Sequence, residues 1–342
     1  MENKRKGYLD VVRCCSAVII VMFHFSCLLE DFGYEGYSNF FLEYANGRWG
    51  RIGVLLFFLL SGAGLILGNK EHFEAKAFFK KRWMKLFPLF FLCYIPLYFV
   101  DAILIHKEFL YAGSPVKFLL TFVGMDGYLS EWIPNYYIIG EWFLGALIII
   151  YVLFPLLRRL FLSKGRLWIT AGLAVLVVLN DIFCFPYIPG REWIVLDIAA
   201  FWCGMLFIEY EVKLKNKLCV ITAGITALVL WLVKLPAGWD SDTVSLVFSL
   251  SLFLTALNCF GRANSRIVKF IGDYSYAIFL VHHVIMAFFF TVFAKYITPY
   301  TVLPVMILLF VIILCTAYVA AKINQFITQR RRYEIHGTGN NI

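Results

Sequence analysis

Charge is what this 342-residue chain has least of: Asp, Glu, Lys and Arg make up 15% of it, against 61% hydrophobic residues. With a mean hydropathy of +0.78, that shortage excludes a soluble domain, whose surface needs far more polar cover. Low-complexity tracts and visible internal repeats are also missing, so a single membrane domain is expected to fill the chain. Nothing reads as a cleavable leader. Met-Glu-Asn-Lys-Arg-Lys runs into an apolar segment too long for a signal h-region and without a small-residue cleavage site, so the first span is expected to stay in place. The nine cysteines show no metal-type spacing and fall almost entirely within apolar segments, where thiols pack as small hydrophobes. No metal is expected.

What the chain has is long apolar segments. Ten are suited to crossing about 30 Å of hydrocarbon, at 10–29, 52–69, 86–105, 136–157, 167–185, 192–210, 218–234, 243–260, 270–294 and 301–322. The expected fold is all-α, a polytopic bundle of about ten transmembrane helices. With the N-terminus inside, 23 of the 31 Lys and Arg residues fall in cytoplasmic segments and seven in outer loops. The positive-inside rule therefore favours both termini in the cytoplasm. The same distribution accounts for the net charge of +9 without a nucleic-acid partner. The division expected is a membrane domain over 1–325 and a short basic cytoplasmic tail over 326–342. An apolar piece within 106–135 is too short to cross and reads as re-entrant or interfacial on the outer side. With the acidic outer loop 30–51, which contains Glu30, Asp31, Glu35 and Glu43, it is placed to shape an outward-facing acceptor site.

Two ionisable residues, Arg13 and His24, lie inside the first apolar segment. Such residues are expensive in a membrane and usually functional. Their spacing of eleven residues is three turns plus about 20°, so both point the same way, about 16 Å apart along the axis. Asp10 precedes Arg13 by three residues and can pair with its guanidinium. The pattern reads as a reaction site built into a bilayer.

Other motifs follow in order. Phe57-Phe58-Leu59-Leu60-Ser61-Gly62-Ala63-Gly64 combines small residues that favour close helix packing with a hydroxyl at depth. Lys80-Lys81-Arg82-Trp83-Met84-Lys85-Leu86-Phe87-Pro88 puts cations at the mouth of the third span, as anchors or as a phosphate cradle. The fourth span opens Glu141-Trp142-Phe143-Leu144 and continues to Tyr151 and Pro155. The ninth reads Gly272-Asp273-Tyr274-Ser275-Tyr276-Ala277-Ile278-Phe279-Leu280-Val281-His282-His283, bringing further imidazoles into the membrane.

Together these motifs resemble acyltransferase family 3, integral-membrane O-acyltransferases of sugars and polysaccharides. The matching elements run in family order from near residue 8 to 283. The resemblance implies transfer of an acyl group, most commonly acetyl, from cytoplasmic acetyl-CoA or another acyl-CoA. The acceptor it implies is a hydroxyl of a cell-surface glycan or lipid-linked sugar, in a multi-pass protein of the cell membrane. Polysaccharide-biosynthesis proteins are the expected protein partners. Catalytic candidates are His24, Arg13, Asp10 and His282; donor-binding candidates are Arg82, Lys85 and Lys81; substrate candidates are Glu141, Trp142 and Ser61. Imidazole suits the proton transfer because its ordinary pKa lies near neutrality. Direct transfer and an acyl-histidine relay both fit these residues, and His282 either assists or packs.

Two departures from the family pattern stand out. Leu147 occupies the position, five residues after Trp142, where many members carry Glu. Lys85 stands where Arg is common, keeping the charge but losing bidentate phosphate geometry. The chain ends about 20 residues after its last expected span, without the extracytoplasmic hydrolase-like domain of some relatives. Transfer is therefore expected to finish in the membrane domain or on a separate partner. The alternative reading is a secondary transporter using buried Arg, His, Asp101, Asp181 and Asp197 as an ion path. It lacks support from matched halves, and a non-catalytic scaffold leaves the alignment of Arg13 with His24 unexplained.

Overall fold

The computed structural model describes residues 6–34, 40–140, 142–183, 194–236, 241–261 and 263–337, and among these there is no strand. Each of the ten apolar segments is a helix: α1 (Gly7–Asp31), α2 (Trp49–Asn69), α3 (Ala75–Val100), α4 (Trp142–Phe161), α5 (Arg166–Phe183), α6 (Ile194–Glu209), α7 (Lys217–Leu232), α8 (Asp242–Cys259), α9 (Arg266–Phe293) and α10 (Val302–Gly337). Eight are long and apolar enough to span a bilayer, and this is a multi-pass membrane protein. The described parts of α6 and α7 have 16 residues each, about 24 Å of helix against about 30 Å of hydrocarbon. α10 continues beyond residue 325 as the same helix.

Two helices start earlier than hydropathy suggests. α3 begins at Ala75 rather than 86, so Lys81, Arg82 and Lys85 stand on its first turns and not at the end of a loop. An apolarity criterion cannot see a helix whose opening turns are basic. α2 begins at Trp49, so Arg51, read as an outer-loop cation, is a helical and buried residue. Segment 106–135 contains only short helices, Phe118–Val123 and Asp126–Leu129 among them, as its length requires.

α2 runs through the middle of the bundle, with most of its length buried. Its closest neighbour is α6, and glycine explains why. A Cβ on Gly62 would lie 1.9 Å from the Phe201 carbonyl oxygen, and one on Gly204 would lie 2.0 Å from that of Leu59. The two backbones meet where neither has a side chain, the packing that small residues allow in membranes. The same helices are joined by an ion pair, Arg51 Nη1 donating to Asp197 Oδ1 at 2.8 Å, with side chains 3% and 0% exposed. α1 packs on α2 and α9, while α5 and α10 lie at the periphery with apolar faces uncovered, suited to lipid.

Candidate active site

Two cavities flank the α1–α9 contact. The first, of about 380 Å³, is lined by Arg13 from α1, Ser61 and Gly64 from α2, and Lys81, Arg82 and Lys85 from α3. Leu147 and Tyr151 of α4 and Ser275, Tyr276 and Phe279 of α9 complete it. Four cations thus converge from two helices that are far apart in sequence. Arg13 Nη1 donates to Asp10 Oδ1 at 3.4 Å, the i, i+3 pairing expected. The Arg82 guanidinium sits 5.8 Å from the Tyr151 ring centre and 5.6 Å from that of Phe78, within cation–π range. Tyr276 donates its hydroxyl to the Leu86 carbonyl at 3.2 Å, fastening α9 to the basic helix.

Small residues divide their labour by helical phase. Gly62 faces α6, whereas Gly64 has nothing within 4 Å of its missing Cβ and opens, with Ser61, on the basic cavity. The Ser-Gly-Ala-Gly motif therefore serves both packing and site. Leu147 also faces this cavity, so the missing carboxylate leaves an apolar wall there.

The second cavity, of about 300 Å³, is lined by His24, Ile20 and Phe23 of α1, Gly47 and Arg48 just before α2, Gly50, Arg51 and Val54 of α2, Gly140, Trp142, and Phe279 and His283 of α9. Residues of the 30–51 loop do border it, through Gly47 and Arg48, while segment 106–135 does not. Glu35 and Glu141 lie outside the described residues. Arg48 pairs with Asp242 at 3.2 Å and Arg51 with Asp197, so both guanidinium groups arrive partly neutralised.

His24, His282 and His283 form one cluster whose ring nitrogens approach within 4.8 Å. His24 Nδ1 is 3.0 Å from the Ile20 carbonyl oxygen, and His282 Nδ1 is 2.7 Å from that of Phe279. A carbonyl can only accept, so in each ring Nδ1 carries the proton and the neutral form keeps its lone pair on Nε2. His24 therefore presents a basic nitrogen towards the cluster. His282 is fully buried and its Nε2 has no hydrogen-bond partner among the described residues. It does not line the histidine cavity; His283 does. Three imidazoles of this spacing could ligate a cation.

Of the residues expected from sequence, Arg13, Lys81, Arg82, Lys85 and Ser61 share the basic cavity, with Asp10 attached through Arg13. His24 and Trp142 share the histidine cavity, and His282 sits between the two. His283, Phe279 and Arg48 were given no role by sequence reasoning. For the two on α9 the signal was periodicity: Tyr276, Phe279 and His283, at i, i+3 and i+7, fall on one helical face; Arg48 carried none. Asp101 lies 3.5 Å from His106, Asp181 accepts the Thr243 amide at 3.2 Å, and Asp197 holds Arg51. These carboxylates are dispersed, and none lines either cavity, which gives no support to an ion path.

Comparison with curated proteins and with solved structures finds no match. Comparison with protein families matches residues 6–322, nearly the whole chain, to one described as an acyltransferase domain. The chain belongs to acyltransferase family 3, a family of membrane acyltransferases.

Proposed function

We propose that this protein moves an acetyl group from cytoplasmic acetyl-CoA to a hydroxyl of a cell-surface glycan or lipid-linked sugar, working in the cell membrane with both termini in the cytoplasm. The observation that carries the reading is the meeting of a four-cation cavity with a histidine-lined cavity at one side chain, Phe279. Lys81, Arg82 and Lys85 at the head of α3 suit the phosphates of the donor's nucleotide, with Arg13 deeper in the same cavity. The pantetheine arm runs from there along α1 towards His24. The acceptor enters the histidine cavity, where the Trp142 face suits a sugar ring.

His24 Nε2 takes the proton from the acceptor hydroxyl as its oxygen attacks the thioester carbonyl. The C–O bond forms, the C–S bond breaks, and the departing thiolate recovers the proton from the imidazolium. His283, whose ring centre lies 4.1 Å from that of His24, orients the base and shares the transient charge. The dispersed carboxylates support this reading over a transporter.

The test is transfer of radiolabelled acetyl from acetyl-CoA to an extracytoplasmic ester that mild alkali releases, in membranes carrying the protein and a supplied glycan, without an imposed ion gradient. His24→Ala should abolish the label while leaving the protein in the membrane. Near-normal labelling in that variant would remove His24 from the mechanism, and ion-coupled uptake of a solute by reconstituted protein with no ester formed would overturn the transferase reading.

A further inference from the structure

Between the two cavities lies a third, narrower space without room for a water molecule. Its walls are Ala17, Ile20 and Val21 of α1, Phe57 of α2, and Ser275, Ile278, Phe279 and His282 of α9. Among the described residues, Phe279 is the one side chain that borders this seam and both cavities. It is 8% exposed, and its ring packs against Phe143 at 5.1 Å and His282 at 5.9 Å between centres. Phe57 and Phe143, at 6.0 Å from each other, extend the aromatic wall on the basic side.

The seam lies alongside the stretch of α1 between Arg13 and His24. Given the donor and base assigned under Proposed function, on which this inference rests, an acyl group delivered from the basic cavity has to pass the seam at Phe279 to bring its carbonyl to His24 on the second cavity. We infer that Phe279 is the acyl-selecting residue, and that the seam it walls takes a short uncharged acyl group and rejects longer or carboxylated ones. Length is limited because the seam is closed even to water, so any acyl group passes only as the Phe279 wall gives; a two-carbon group asks for the least displacement and each added methylene for more, one methylene in a tight pocket changing discrimination by about 10-fold or more. Charge is limited because the seam offers only Ser275 and His282 as polar groups. The carboxylate of a succinyl group would lose its water there without an ionic partner.

The experiment uses full-length purified protein and non-hydrolysable CoA thioethers carrying two-carbon, six-carbon and succinyl-like groups, with affinity read by calorimetry. Wild-type protein should bind the two-carbon analogue at least ten-fold more tightly than either other. Phe279→Ala should cut the two- to six-carbon ratio by ten-fold or more, and Phe279→Leu, which keeps bulk and fold better, by less. The inference is overturned if either variant binds the two-carbon analogue with the wild-type ratio unchanged, or if wild-type protein binds all three equally. Failure of wild-type protein to bind any of them would instead overturn the donor assignment itself, and this inference with it. Label transfer in the assay above, with an unchanged chain-length ratio here, separates the two failures.

Discussion

Replacing Gly62 with alanine should be among the most damaging conservative changes this protein can suffer, whereas the same change two residues later should be harmless. The added Cβ at Gly62 would sit 1.9 Å from a backbone oxygen of α6, and real contacts are not closer than 3.0 Å, so α2 and α6 must part by at least 1.1 Å. Neither partner is a flexible side chain, and nothing can rotate away. Overpacking of this kind costs about 1–3 kcal/mol. A rigid separation would also stretch the Arg51–Asp197 contact, from 2.8 Å to about 3.9 Å, beyond hydrogen-bonding range. A total near 3 kcal/mol corresponds to a fall in Tm of about 6 °C for a chain of this size. Gly64→Ala meets only open space and should gain about 0.5–1 kcal/mol from reduced backbone entropy. Thermal unfolding in detergent, followed by tryptophan fluorescence, decides the matter. Equal Tm values for Gly62→Ala and wild type would refute the close-approach argument.

Arg51→Met should destabilise the fold by about 3–5 kcal/mol, because it strands Asp197 as a buried charge, and Arg51→Met with Asp197→Leu should recover most of that loss; a double-mutant cycle on unfolding midpoints checks it, and a double variant as unstable as the single one would contradict it. Arg82→Ala should weaken binding of a non-hydrolysable acetyl-CoA thioether by about ten-fold, the worth of one charge-assisted contact, whereas Lys85→Arg should leave it unchanged; calorimetry on purified protein reads both. Asp126, in the connection between α3 and α4, has its carboxyl pushed up to about 6 by burial. Its folded form therefore holds a proton that the unfolded chain releases near pH 4, so stability falls as pH rises through that window and is flat above it. Asp126→Asn should raise Tm at pH 7.5 and lose that advantage near pH 4, and a Tm difference independent of pH would contradict the burial argument.

The helices were legible because apolar runs of about twenty residues carry their own signal, and the alignment of Arg13 with His24 was legible because it depends only on the pitch of one helix. Residues brought together by different helices were less so. That the α3 cations close on Arg13 was expected from chemistry, but the helical setting of Lys81 and Arg82 was hidden by their own charge. The adjacent pair His282 and His283 shows the limit best. Neighbouring positions diverge by about 100°, so only one can face a given cavity, and choosing between them requires knowing how α9 is rotated against α1. The sequence named His282 as a candidate without settling its role or that of His283; the structure brings both rings against His24, at 5.2 and 4.1 Å between centres, and of the two His283 lines the histidine cavity. Phe279 shares a helical face with Tyr276 and His283, but its own chemistry does not distinguish one apolar side chain among so many until its neighbours are known. Arg51 was misread for a related reason: a cation at a helix boundary looks like a loop residue until its buried partner, Asp197, is found.

The tether from His24 Nδ1 to the Ile20 carbonyl has a mechanical consequence. The ring is held by its own helix, so it cannot swivel independently, and Arg13 stands on the same rod. If the proposed roles of Arg13 and His24 hold, the register of α1 couples donor binding to proton removal. Inserting one residue between positions 13 and 24 would turn the imidazole by about 100° relative to the guanidinium, so that either the basic cavity or the histidine cavity keeps its α1 residue, never both. On the mechanism proposed above, donor capture and proton removal are held in phase by the same stretch of helix that walls the seam between the two cavities.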